Sequence, residues 1–166
     1  MQIRAERQDD CAAIQTVNEA AFLTLDEAHL VNALREQAKP IISLLAEEEG
    51  SIVGHILFSP VTLPDHPELK LMGLAPMAVV PQHQREGIGS MLVVAGLEAC
   101  QELKTDAVVV LGHPEYYPRF GFVPSVHFGI GCEYEVPEDV FMMLEITPGC
   151  LNNASGKIKY HAAFRQ

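Results

Sequence analysis

One stretch constrains this chain more than any other: Met77-Ala78-Val79-Val80-Pro81-Gln82-His83-Gln84-Arg85-Glu86-Gly87-Ile88-Gly89-Ser90. An apolar run ends at a proline, a polar turn follows, and Gly87 and Gly89 flank Ile88 where a long helix begins, from about Gly87 to Lys104. The first turn of a helix has amide N–H groups with no intrahelical partner. They point along the positive end of the helix dipole. Glycines there remove the Cβ atoms that would keep a bulky anion from the backbone. Such a turn can seat a phosphate or pyrophosphate. Two glycines at a helix start also serve tight helix–sheet packing, and the residues alone leave both readings open. The stretch lacks the Lys-Ser/Thr of a P-loop and the third glycine of a dinucleotide fingerprint.

The flanking sequence supplies a mixed α/β pattern. Residues 2–7 read as a strand, and Asp9 and Asp10 offer caps for a helix over Cys11–Phe22, whose Ile14, Val17 and Ala21 recur at helical spacing. A second helix is expected over Asp26–Gln37, stopped by Pro40. Ile41–Glu47 and Ile52–Leu63, joined by Glu49-Gly50-Ser51, form a hairpin, and Lys70–Val80 is the next strand. After the long helix, Ala107–Leu111 has no polar side chain, as in a strand covered on both faces. Gly112-His113-Pro114-Glu115 opens a short helical segment ending at Gly121; Phe141–Ile146 is a strand and Gly156–Tyr160 begins another. The order β-α-α-β-β-β-α-β-α-β with a β-rich tail implies hairpins as well as a crossover.

The 166 residues suit one domain with one sizeable core. No apolar run spans a bilayer and the start has no signal-peptide core, so no membrane association or export is expected. Cys11, Cys100, Cys132 and Cys150 are widely spaced with no CxxC pair, which fits a reduced compartment and a cytoplasmic protein. The formal net charge of −11 repels nucleic acid. It suits a cationic acceptor such as an amine, or serves solubility alone; charge does not separate the two. No histidine stands in an HxH, HxxxH or HExxH pattern and none has a carboxylate cluster in sequence, so no metal is expected. Glu47-Glu48-Glu49 reads as a solvated hairpin tip.

Two motifs give a resemblance. Gln84-x-x-Gly87-x-Gly89 after Val-Val-Pro is similar to the acetyl-CoA signature of the GNAT (GCN5-related) N-acetyltransferase superfamily, and Tyr116-Tyr117-Pro118-Arg119-Phe120-Gly121-Phe122 resembles its second hallmark, an aromatic-Tyr segment leading to Gly-Phe. With Gly54-His55 to Ser59-Pro60 and the tail Gly156–Phe164, the likeness is to the YhbS-like branch and covers nearly the whole chain, residues 1–166, as one domain. The resemblance implies a mixed, mostly antiparallel central sheet flanked by helices. It also implies an acetyl-CoA-dependent transfer of an acetyl group to a primary amine of a small molecule or peptide.

It further implies roles by position. The strand Lys70–Val80 would splay from its neighbour around residues 77–80, so that backbone groups of Met77 and Val79, with Ala78 between them, pair with the pantetheine amides. The amides of Arg85, Glu86, Gly87, Ile88, Gly89 and Ser90 would hold the pyrophosphate, and Gln84 would shape the turn. Tyr116 and His113 would flank the coenzyme, and Tyr117 would protonate the leaving thiolate. A phenol of pKa about 10 stays protonated at pH 7 and suits that task. Amides near Met77–Val79 could also polarise the thioester carbonyl. Glu86 departs from the pattern, since that position is often basic in the superfamily. The Asn often found before the tyrosine is also missing, with His113 as a substitute. The base stays open among His55, His113 and Glu115. A non-catalytic acyl-CoA-binding module, transfer of a different acyl group, and a homodimer paired through the apolar tail also stay open.

Overall fold

The computed structural model describes residues 1–165. Seven strands form the main sheet: β1 (Gln2–Ala5), β2 (Ile42–Glu48), β3 (Ser51–Val61), β4 (Leu71–Val79), β5 (Ala107–Leu111), β6 (Val123–Pro124) and β8 (Phe141–Glu145). Their order is β1-β2-β3-β4-β5-β8-β6. All neighbours are antiparallel except β4 and β5, which run parallel. That one parallel pair requires a crossover, and α3 (Ile88–Glu102) provides it. Two further strands of three residues each, β7 (Ile130–Cys132) and β9 (Gly156–Ile158), pair in parallel as a separate ladder. The tail strand thus ends at Ile158 and lies outside the main sheet, tied to it by the antiparallel bridge Thr62–Lys159.

Side-chain alternation explains the layers. On β5, Val108 and Val110 pack with Leu92, Val93 and Cys100 of α3, whereas Ala107 and Val109 pack with Ile130, Leu151 and Ile158 of the C-terminal region. Both faces of β5 are dry over Ala107–Val110, which fits a run with no polar residue, while Leu111 at its end is exposed. Helices α1 (Cys11–Phe22) and α2 (Asp26–Gln37) cover the other half of the second face through Ile14, Val31 and Leu34 against Leu45 and Leu57. Tight helix–sheet packing falls on Gly96, where a Cβ would meet the Phe58 ring at 2.2 Å, and on Gly54, where it would lie 3.1 Å from Ile88 and Leu92.

Asp9 and Asp10 do not cap α1, which has no side-chain cap bond. Asp10 instead accepts the Arg7 amide at 2.6 Å and pairs with the Arg4 guanidinium at 2.8 and 3.1 Å. That charge-assisted fork, with the Arg7 amide, occupies the carboxylate in place of a cap bond to α1 and holds the Asp10 carboxyl well below its ordinary range. The segment after β5 is helical only over Tyr117–Phe120, as one 3-10 turn.

Among the described residues, no helix is long and apolar enough to cross a membrane.

Candidate functional site

The strand β4 has two different flanks. Its pairing with β3 runs to Val79, but its pairing with β5 covers only Leu71–Leu74. A bulge sets Ala75 and Pro76 against one residue of β3, between the pairs Phe58–Leu74 and Ile56–Met77. An extra residue bends the bulged strand and increases its twist, so β4 turns away from β5 beyond this point. The Val80 amide donates to Val53 O at 2.9 Å. By antiparallel alternation Ala78 also faces β3, and the backbone groups of Met77 and Val79 face the gap. The Val79 carbonyl already has a partner there, the Gln84 Nε2 at 3.0 Å. Gln84 therefore folds the turn back on the strand end, and the Val79 N–H faces the gap beside it.

The chain then enters α3 through an unusual turn. A short 3-10 turn spans Pro81–His83, closed by His83 N–H to Val80 O at 2.9 Å and a long Gln84 N–H to Pro81 O contact at 3.4 Å. Arg85 (φ 67°) and Gly87 (φ 86°) adopt the left-handed conformation on either side of Glu86. Successive residues alternating between the two hands turn their amides to one side, a concave nest for anions. Gly87 precedes α3 with no side-chain cap, and its carbonyl accepts the Met91 amide at 3.1 Å. The amides of Ile88, Gly89 and Ser90 thus start α3 without a cap. A Cβ on Gly87 would meet nothing within 4 Å, so this glycine serves backbone conformation and open space, not packing. A Cβ on Gly89 would sit 3.5 Å from both Met77 Cε and the Tyr116 hydroxyl, at the wall of the open turn.

A groove of about 310 Å³ lies over these amides. It is lined by Val79, Gln84, Arg85, Gly87, Ile88, Gly89, Ser90 and Tyr116, and by two residues of the motifs for which no role was expected, His83 and Arg119. Tyr116 crosses to α3, its hydroxyl 2.8 Å from Ser90 Oγ. Arg119 stacks its guanidinium 4.3 Å from the centre of the Tyr116 ring and donates Nε–H to the Tyr116 carbonyl at 2.9 Å. The signal for Arg119 was in plain sight: three residues after Tyr116 on a turn, a cation returns over the ring. A larger cavity of about 350 Å³ lies by Leu103 and Thr105, at the far end of α3, among Pro40, Pro60, Leu71 and Met72. Lys70 is its one charged lining residue and the rest of the wall is mostly apolar, which offers little to a phosphorylated ligand.

Tyr117 stands beside the groove. Its ring passes over Gly112, where a Cβ would lie 2.5 Å from Cε2, at the end of β5. It packs edge-on against Tyr116 at 5.0 Å and Phe122 at 5.8 Å, and is 7% exposed. Burial, reinforced by Tyr116, pushes its pKa up to about 12. Met77 and Ala78 flank the gap without lining the groove. Glu86 contributes its amide to the loop, but its side chain lies outside. His113 is exposed (82% of its side chain) and lies 4.0 Å from Glu115, equally in solvent, and neither lines the groove.

His55 is fully buried, and burial lowers its pKa to about 4. Its Nε2 lies 2.8 Å from Ser43 Oγ, whose hydroxyl is 2.7 Å from Glu6, and its Nδ1 lies 3.3 Å from Asn18 Nδ2. Ser43 has one proton to give, and the Glu6 carboxylate can only accept. The hydrogen-bond pattern therefore assigns the neutral ring its hydrogen at Nε2, donated to Ser43, with Nδ1 accepting from Asn18. Glu6 is further held by Arg35 at 2.8 and 2.9 Å. This chain of polar groups ties β3, β2, α1 and α2 together.

One grouping was invisible in sequence. The hairpin tip brings Glu48 to His83 and Glu86, with ligand atoms within 4.8 Å of one another. The histidine does have carboxylates around it, because β2 carries Glu48 to the turn from 35 positions upstream.

The profile of the acetyltransferase (GNAT) domain matches residues 40–124, which span the β2–β3 hairpin, the turn, α3 and the Tyr116–Phe122 segment. The N-acetyltransferase YhbS of Escherichia coli (strain K12) is 34% identical over all of this chain and 99% of its own length. The N-acetyltransferase YjhQ of the same organism is 40% identical over 84% of this chain and 81% of its own length. A crystal structure of YhbS from Escherichia coli in complex with CoA superposes with a TM-score of 0.92 at 32% identity, covering 99% of this chain and 92% of that one. A GNAT family acetyltransferase from Brucella melitensis in complex with acetyl-CoA gives 0.80 at 37% identity, covering 98% and 97%.

Proposed function

The chain belongs to the GNAT acetyltransferase family, and from that premise we propose that it moves the acetyl group of acetyl-CoA to a primary amine by direct attack. The observation that carries this reading is the uncapped amide run from Arg85 to Ser90, set beside a strand whose other flank is open. Solved relatives described with CoA and acetyl-CoA support the same ligand here.

The residues divide the work by position. The amides of Arg85–Ser90 grip the diphosphate, with Arg85 and Arg119 supplying cationic charge in an otherwise acidic protein. Backbone groups of Met77 and the Val79 N–H pair with the pantetheine as an added strand would, and Tyr116 walls the groove. Amides of the Met77–Val79 segment draw charge onto the thioester carbonyl oxygen as the amine attacks. The coenzyme supplies an activated acetyl group and a thiolate leaving group.

Tyr117 acts on that leaving group. With its pKa raised to about 12 by burial, its phenol is protonated at neutral pH. It donates a hydrogen bond to the sulfur as negative charge develops there. Complete transfer to a thiolate of pKa about 8.5 is uphill, so the phenol shares its proton in the transition state. The proton that ends on sulfur is made good by the one the amine releases. His55 is buried and engaged on both ring nitrogens, and His113 and Glu115 stand in solvent outside the groove, so this reading takes ordered water as the first acceptor of the amine proton. The same reading takes residues 1–166 as one catalytic domain working in the cytoplasm, with a small molecule or peptide amine as acceptor.

Release of free thiol from acetyl-CoA with a panel of amines tests the activity. Tyr117→Phe is expected to lower kcat by about 100-fold or more, while coenzyme affinity stays within about twofold. Unchanged thiol release removes the acid role. Tight coenzyme binding with no release to any amine favours a non-catalytic binding module.

A further inference from the structure

The turn that opens the groove carries a negative charge in the middle of an anion site, and the structure places that charge with care. Arg85 and Gly87 both line the groove; Glu86, between them, does not. Its Oε1 lies 3.1 Å from His83 Nδ1, and the same nitrogen lies 3.5 Å from Glu48 Oε2 at the hairpin tip. The backbone of His83 is fixed by its N–H donating to the Val80 carbonyl, and the residue lines the groove. To serve both carboxylates Nδ1 must carry a hydrogen.

We propose that His83 is a positioning residue: it draws the Glu86 carboxylate out of the groove and against the hairpin tip, and so sets how tightly this chain holds a diphosphate. The inference rests on the coenzyme reading above. Without the ring, nothing among these contacts holds Glu86 outward. Its three side-chain torsions let the carboxylate reach over the neighbouring amides and compete with, or repel, the phosphate oxygens. A carboxylate at this position is tolerable because a histidine three residues earlier and a glutamate from another strand are arranged around it. Glu48 shares the same Nδ1 with Glu86, so the ring links the hairpin tip to the turn before α3.

Calorimetric titration of free coenzyme A into the full chain and its variants tests this. His83→Ala is expected to weaken binding by about fivefold, the size of an exposed charge contact. The double variant His83→Ala with Glu86→Gln is expected to recover to within about twofold of the unaltered chain. A ring that merely stiffened the loop, or that held the phosphate itself, would leave the double variant as weak as the single one, and that result overturns the proposal. Glu86→Gln alone is expected to bind at least as tightly as the unaltered chain; weaker binding also overturns it. Constants are expected to be the same with and without EDTA. An EDTA-sensitive affinity lost in Glu48→Gln would make the three residues a cation site instead. If the unaltered chain takes up no coenzyme A, the underlying reading falls; if it binds and His83→Ala binds equally well, only this proposal does.

Discussion

Mild acid will loosen this fold through His55. The ring has no exposed surface, and removal from water holds its pKa down to about 4, against an ordinary value of 6.5. Between those two pH values the unfolded chain takes up a proton that the folded chain refuses. Stability therefore rises with pH across that window. The contribution of a neutral His55 is fully present above about pH 6.5, shrinks as the pH falls, and is gone at about pH 4. At about 1.4 kcal/mol per pH unit, the whole effect is at most about 3 kcal/mol, with about 2 kcal/mol of it falling between pH 7 and pH 4.5. Urea unfolding of the unaltered chain and of His55→Gln at pH 7, 5.5 and 4.5 isolates it. Glutamine keeps a donor for Ser43 and an acceptor for Asn18 but does not titrate. The carboxyls of Glu6 and Asp10, both held low by their arginine partners, titrate in both proteins and cancel to first order. The unaltered chain should lose about 2 kcal/mol more than the variant on going from pH 7 to pH 4.5. Parallel pH–stability curves would refute the claim that a buried neutral imidazole is built into the β2–β3–α1 contact.

Other outcomes follow from the site. Gly89→Ala places its methyl at ordinary contact distance from Met77 and Tyr116 and should leave the melting temperature nearly unchanged, whereas Gly89→Leu fills the space over the Ser90 and Gly89 amides and should weaken coenzyme A by more than about tenfold; equal binding by both would move the diphosphate elsewhere. Arg119→Ala should weaken coenzyme A by about fivefold and flatten its dependence on salt. An unchanged salt dependence in a titration series would remove Arg119 from the phosphate contacts.

The readable parts of this molecule were those whose physics is local. The strand-to-helix turn announces itself because Gly87 supplies a left-handed backbone and Gly89 keeps the wall of the groove low, and both leave a mark in sequence. Ala107–Leu111 declares double-sided burial by having no polar residue. The helices α1 and α2 have the bounds that their apolar spacing implies. What stayed hidden depends on which distant residues meet. Asp10 is spent on Arg4 instead of a helix cap because β1 lies beside the turn that follows it. The tail strand Gly156–Ile158 finds β7 in parallel instead of the main sheet, a choice of partner that alternation cannot encode. The Glu48–His83–Glu86 grouping forms where the hairpin tip meets the turn before α3. Arg119 was legible in principle, since a cation one 3-10 turn beyond an aromatic ring stacks back upon it.

The measurement closest to the central claim is an amide-resolved ¹⁵N NMR titration of the chain with coenzyme A. Saturable shifts concentrated on the N–H groups of Arg85–Ser90, with smaller ones at Met77 and Val79, are the predicted result. Saturation with those amides unmoved and the shifts clustered elsewhere, for example around Lys70 and Leu103, would contradict it.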